Sequence, residues 1–226
     1  TLFRSISELL ADKPTISFHV DAVQALAKIP TEKYLTDRVD FATFSSHKFH
    51  GVRGVGFVYI KSGKKITPLL TGGGQERDYR STTENVAGIA ATAKALRLSM
   101  EKLAIFTNKA GQMKSVIRQA LLDYPDIFVF SDEEDFAPHL LTFGIKGVRG
   151  EVIVHAFEDY DIFISTTSAC SSKAGKPAGT LIAMGVDKDK AQSAVRLSLD
   201  LENDMSQVEQ FLTKLKLIYN QTKKVR

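Results

Sequence analysis

Two short apolar runs set the strongest limit on what this chain can fold into. Thr15-Ile16-Ser17-Phe18-His19-Val20 is β-rich and stops at Asp21, and Val39-Asp40-Phe41-Ala42-Thr43-Phe44 runs straight into Ser45-Ser46-His47-Lys48. Runs of this length bounded by polar residues read as buried strands. Between them residues 22–29 favour helix, and Pro30 closes the stretch. A third β-rich run covers residues 54–60. Strand, helix, strand in this order is the pattern of a layered α/β domain. Ligands of open α/β sheets gather just beyond the C-terminal ends of strands, which is where Asp21 and the Ser45–Lys48 group fall.

The remainder continues the alternation. A glycine-rich, charged stretch covers residues 71–83, and its Gly72-Gly73-Gly74 lacks the Gly-Lys-Ser/Thr of a phosphate-binding P-loop. Val86, Ile89, Ala90, Ala93, Leu96 and Leu103 then recur at helical spacing, and a further helix is predicted over 108–122. Strands over 127–130, 139–145, 162–165 and 195–199 alternate with helices over 151–160 and 207–223 and a short one near Leu181. The second half therefore reads as a smaller α/β domain, with residues 1–84 in one domain and 85–226 in the other. Two or three strands and one crossover make a thin enzyme core, so the first half of a longer parent protein is expected to be absent.

Composition narrows the function classes. Hydrophobic residues make up 43% and charged residues 25%, as in globular rather than disordered chains. No apolar run approaches the roughly 20 residues that span a bilayer. The opening Thr1-Leu2-Phe3-Arg4-Ser5 has the character of neither a signal nor a transit peptide, so a cytoplasmic location without membrane attachment is expected. The net charge of +4 gathers at Lys214, Lys216, Lys223, Lys224 and Arg226, which suits a solvated helix end. No RNA-binding signature accompanies it, and nucleic-acid binding is not expected.

Cys170 is the single cysteine, which excludes an intrachain disulfide and a thiolate metal cluster; no metal site is expected. Its surroundings, Ser165-Thr166-Thr167-Ser168-Ala169-Cys170-Ser171-Ser172-Lys173-Ala174-Gly175-Lys176-Pro177-Ala178-Gly179, are small and polar, the composition of a surface loop. Buried structural cysteines keep apolar neighbours. Hydroxyls on both sides favour an exposed, reactive thiol, and Lys173 and Lys176 would favour its thiolate.

Asp21 alone reads as a helix N-cap at least as readily as a functional acid, and the Ser45–Lys48 group alone reads as an exposed polar turn. Together they change meaning. A pyridoxal phosphate site needs a lysine for the aldehyde carbon and a carboxylate for the protonated pyridine nitrogen. Lys48 and Asp21 supply both, and Ser45 and His47 are placed to bind a phosphate.

At this point the chain resembles the cysteine desulfurases, the NifS-like members of the class V aminotransferase group. The resemblance rests on His19-Val20-Asp21-Ala22-Val23-Gln24, Ser45-Ser46-His47-Lys48-Phe49-His50-Gly51, Gly72-Gly73-Gly74-Gln75-Glu76-Arg77, Arg80-Ser81-Thr82-Thr83, Ser168-Ala169-Cys170-Ser171-Ser172 and Val195-Arg196-Leu197-Ser198-Leu199, in family order along nearly the whole chain. It implies part of a large fold type I domain followed by a smaller α/β C-terminal domain. It implies that Lys48 holds pyridoxal phosphate, Asp21 pairs with the pyridine nitrogen, Gln24 bonds the ring oxygen, and Ser45 and His47 bind the phosphate. Thr83 would reach the phosphate of the partner subunit in a homodimer, and Arg196 would clamp the substrate carboxylate. Cys170 would take sulfur from L-cysteine as a persulfide and hand it to an acceptor protein in iron–sulfur cluster, thiolated tRNA or cofactor synthesis. The chain departs from the family at Thr82 and Thr167, where glycine is usual, and threonine has the stiffer backbone. Other readings are a related enzyme such as a selenocysteine lyase or an aminotransferase, which has no need of a loop thiol, and a non-catalytic interaction domain of the same fold.

Overall fold

The computed structural model describes residues 2–131, 137–166 and 179–224. The chain forms two compact units, Thr1–Ala104 and Ile105–Arg226. This division falls beyond the expected boundary near residue 84, because the helix after residue 85 packs onto the first unit through Thr92 and Ser99.

In the first unit, helix α1 (Leu2–Leu9) lays Phe3 and Ile6 on a core built from Phe18, Val20, Leu26, Tyr34, Ala42, Phe44 and Phe49. Strands β1 (His19–Asp21) and β2 (Phe41–Ser45) are parallel, with Asp21 opposite Thr43, and β3 (Gly56–Ile60) pairs antiparallel on the far side of β2. Strand alternation sends Val20, Ala42 and Phe44 into the core and Asp21, Thr43 and Ser45 to the other face. Phe57 stacks on Phe44 with centroids 4.7 Å apart, yet β3 is an edge strand and Phe57, Val58 and Tyr59 stay exposed.

The expected helix over 22–29 is absent. Ala27 sits at φ 58, in the left-handed region, which breaks a right-handed ladder. The stretch closes instead through turns, Lys28 N–H donating to Ala25 O and Ile29 N–H to the same oxygen, before a 3-10 turn at Thr31–Lys33. Ala22, Leu26 and Ala27 are buried all the same.

The base of β2 is tied by charge. Asp40 is almost fully buried, accepts from Phe18 N–H at 2.9 Å, and pairs with Arg38 at 2.8 Å and Lys64 at 3.1 Å. The Arg38 guanidinium also donates to the carbonyls of Leu10 (2.9 Å), Lys13 (2.9 Å) and Ile16, stapling the α1–β1 connection to the sheet. Burial alone would raise the Asp40 carboxyl, but the Phe18 amide and the two cations outweigh it and hold it below the usual carboxylate range.

Helix α2 (Val86–Glu101) starts on Asn85, whose side chain accepts from Gly88 N–H at 3.0 Å. Its buried face is only in part the predicted apolar one: Leu96 packs on the core with Ala95, but Val86 is 71% and Ile89 46% exposed, while Gly88 and Thr92 are buried. Small and hydroxyl residues let the helix approach the β2–β3 connection closely; a Cβ on Gly88 would lie 2.8 Å from Val55 Cγ2.

In the second unit, strands β4 (Ile127–Val129), β5 (Leu140–Ile145), β6 (Ser165–Thr166) and β7 (Val195–Ser198) form an antiparallel sheet in the order β4-β5-β7-β6. Helices α3 (Leu103–Leu122), α4 (Gly150–Glu158) and α7 (Met205–Lys224) share one core with it. Phe211 joins them, stacked on Phe157 at 5.0 Å and edge-on to Phe143 at 6.1 Å. Short helices α5 (Gly179–Ala183) and α6 (Lys188–Gln192) build a second small cluster from Leu181, Ala191 and Ala194.

Strand β6 starts later than the predicted 162. Asp161 ends α4 in the left-handed region at φ 57, its N–H reaching Glu158 O while Ile162 N–H reaches Phe157 O, the paired bonds of a Schellman cap. Ile162 and Ile164 pack against the core from this cap rather than from a strand.

Candidate active site

The parallel pairing of β1 and β2 brings their C-terminal ends to one edge of the first unit's sheet. Asp21 closes β1 and is exposed; its Oδ1 accepts from Val23 N–H at 3.1 Å, so it caps the turn that follows. Gln24 is exposed in that turn, where a helix was predicted. Among the described residues neither Asp21 nor Lys48 has an ion-pair partner.

Ser45 ends β2, and residues Ser46–Phe49 form a 3-10 turn. The turn buries every third residue: Ser46 and Phe49 are buried, His47 is exposed and Lys48 half-buried. His50 closes the turn in the left-handed region at φ 64, and Gly51 N–H donates to Ser46 O at 2.9 Å. Gly51 has no room for a side chain, since a Cβ would lie 1.9 Å from Ser46 Oγ. Ser46 N–H donates to Val55 O at 3.0 Å, tying the turn to the entry of β3.

Thr83 is exposed in the segment ahead of α2, and Thr82 beside it is exposed too. Upstream, the left-handed backbone falls on Glu76, Arg77 and Asp78 as well as on Gly74, and Asp78 N–H reaches Gly74 O at 3.1 Å. Glycine freedom therefore covers only part of that turn.

Arg196 lies in the second unit on β7, paired with Thr142 of β5 and Ser165 of β6. Val195 and Leu197 enter the core, so Arg196 faces the opposite side of the sheet. Its Nε is buried and has no hydrogen-bond acceptor among the described residues. Cys170, Thr167, Lys173 and Lys176 lie outside the described residues. Among the described residues no three His, Cys, Asp or Glu side chains gather as a metal site would need, and no helix is long and apolar enough to cross a membrane.

Sequence reasoning missed Ser46, Thr92 and Ser99, which hold the turn. Thr92 Oγ1 is hydrogen-bonded to Ser46 Oγ at 2.9 Å, and Ser99 Oγ donates to Phe49 O at 3.1 Å. The signal available was the stripe Gly88, Thr92, Ser99 on one helix face.

The donor set fits pyridoxal phosphate: Asp21 closes β1, Lys48 lies in the turn just beyond the parallel strand β2, neither is ion-paired among the described residues, and Ser45 and His47 precede the lysine. The fold is mixed α/β, and its likeness to solved NifS-like proteins places it in fold type I. The chain belongs to the aminotransferase class-V family, whose pattern matches residues 3–211. A NifS/IcsS protein homolog from Lactobacillus delbrueckii subsp. bulgaricus is 48% identical over 98% of this chain and 58% of its own length. A protein named cysteine desulfurase IscS from Clostridium botulinum is 34% identical over 98% of this chain and 56% of its own. A solved NifS-like protein aligns with a TM-score of 0.82 and 35% identity, over 94% of this chain and 55% of that one. The chain thus spans little more than half the length of the curated relatives it matches.

Proposed function

We propose that the full-length protein is a pyridoxal-phosphate-dependent cysteine desulfurase, converting L-cysteine to L-alanine and passing the sulfur to Cys170. The observation that carries this reading is the shared end of β1 and β2, where Asp21 and the turn bearing Lys48 close two strands in parallel register. The name borne by the Clostridium botulinum relative agrees with it.

Lys48 is assigned to the cofactor aldehyde, Asp21 to the pyridine nitrogen, Gln24 to the ring oxygen, and Ser45 and His47 to the phosphate. Thr83 is assigned to the partner's phosphate in a homodimer. When bound, pyridoxal phosphate supplies an electron sink for charge developing on the substrate carbon. The Asp21 carboxylate would favour a protonated ring nitrogen by charge complementarity. Arg196 offers a buried N–H that lacks an acceptor among the described residues, and a substrate carboxylate would satisfy it with the planar guanidinium fork.

Cys170, as thiolate, attacks the substrate sulfur. An S–S bond forms as the substrate C–S bond breaks, so the two sulfurs are oxidised while the substrate carbon is reduced and takes a proton, and no external oxidant is needed. Lys173 and Lys176, three and six residues after Cys170 in the sequence, would favour the thiolate. The division of roles resembles that of the desulfurases, and the acceptor is assigned to iron–sulfur cluster, thiolated tRNA or cofactor synthesis in the cytoplasm. Residues 1–84 correspond in this reading to the end of the large cofactor domain and 85–226 to the small domain.

The test is turnover and absorbance on the full-length protein. Cys170→Ser should keep the visible absorbance of bound cofactor and lose persulfide formation. Full desulfurase turnover by Cys170→Ser would refute the sulfur path, and absence of cofactor binding by the unaltered protein would refute the cofactor assignment.

A further inference from the structure

The turn that carries His47 and Lys48 has little to hold it in its own sequence. Its N-cap, Ser45, makes no side-chain capping bond. A 3-10 helix has three residues per turn, so residues 46 and 49 stand one above the other. These two are the buried residues of the turn, and each is fastened to α2. Ser46, 0% exposed, bonds Thr92 Oγ1 at 2.9 Å, and the Phe49 carbonyl accepts from Ser99 Oγ at 3.1 Å. Thr92 and Ser99 are seven residues apart, two turns along one helix face. Thr92 is itself oriented by Gly88 O at 2.7 Å. The helix is therefore a splint whose two hydroxyls hold the turn at its first and last residues.

We infer that Thr92, through Ser46, is a positioning residue for the lysine-bearing turn: it fixes the direction in which His47 and Lys48 leave the sheet. Neither hydroxyl reaches the assigned cofactor groups. With the hydroxyl pair broken, Ser46 Oγ is buried without a partner, and it recovers one only by turning the backbone that carries His47 and Lys48. The fold can survive this, because Phe49 stays in the core and Ser99 still holds the turn's end. The inference rests on the proposed cofactor role of Lys48.

The experiment compares Thr92→Val, Thr92→Ser and the unaltered full-length protein. Thr92→Val has the shape of threonine without the hydroxyl; Thr92→Ser retains it. The readouts are the dissociation constant for pyridoxal phosphate, the visible spectrum of the bound cofactor, and the unfolding midpoint of the cofactor-free protein. Thr92→Val should weaken cofactor binding by about fivefold to tenfold, the scale of one buried hydrogen bond, with a shifted cofactor spectrum. Thr92→Ser should restore both. A purely structural role would lower the unfolding midpoint and leave affinity and spectrum unchanged, and that result overturns the inference while leaving the cofactor assignment standing. If the unaltered protein binds no pyridoxal phosphate, the assignment falls and the inference falls with it.

Discussion

Gly51→Ala is the substitution whose effect the structure specifies most closely. An added Cβ would lie 1.9 Å from Ser46 Oγ, 2.9 Å from Ser46 O and 3.1 Å from Ser46 Cβ. The hydroxyl could swing aside only by leaving Thr92, and the carbonyl could move only with the backbone of the turn. Forcing atoms into a filled site costs about 1–3 kcal/mol, and loss of the hydroxyl pair adds roughly 0.5–1.5 kcal/mol, so the total is about 1.5–4.5 kcal/mol. Denaturant unfolding of the full-length protein at fixed concentration measures it. Ser46→Ala removes the 1.9 Å contact but not the carbonyl contact, so Gly51→Ala should cost at least about 1 kcal/mol less in that background, a coupling of the size contacting residues show. Equal costs in the two backgrounds would refute the packing reasoning, and unchanged stability of Gly51→Ala would refute it outright.

Asp40→Asn should destabilise by about 3–5 kcal/mol, because Arg38 and Lys64 lose their buried partner; denaturant unfolding reads it. The Asp40 carboxyl is held below its ordinary value of 3.8, so its contribution is present in full above that value and is lost as pH falls through the depressed one. The variant should accordingly lose stability less steeply in acid, as thermal midpoints against pH would record. Arg196→Lys should raise KM for L-cysteine by roughly tenfold, on the scale of one charge-assisted bond, in steady-state kinetics. Lys48→Ala should abolish the visible absorbance of bound cofactor without unfolding the protein, since Lys48 is only half-buried.

The parts of the site visible in the sequence are those where local pattern and location coincide. Asp21 and Ser45 are polar stops at the ends of apolar runs, and β1 and β2 form there because alternation and β-branching favour them. What was not visible depended on contacts from afar or on unusual backbone. Residues 22–29 carry helix-favouring side chains, yet Ala27 takes a left-handed conformation that no propensity announces. The predicted apolar stripe of α2 is partly exposed, because close approach at Val55 selected Gly88 and Thr92 for the buried face. Asp161 ends α4 where glycine is the usual signal, which hid the late start of β6. The side on which Arg196 lies was not visible either: alternation with Val195 and Leu197 turns it away from the core, and its buried Nε, without an acceptor among the described residues, marks it there.

The central claim is that sulfur from L-cysteine arrives on Cys170 of a pyridoxal-phosphate-loaded protein. Mass spectrometry of the full-length protein after one turnover with L-cysteine tests it most directly. The account predicts one added sulfur atom on the peptide carrying Cys170, matched mole for mole by alanine and absent in Cys170→Ser. Alanine released in equal amount while Cys170 stays unmodified, with the same turnover in Cys170→Ser, would contradict it.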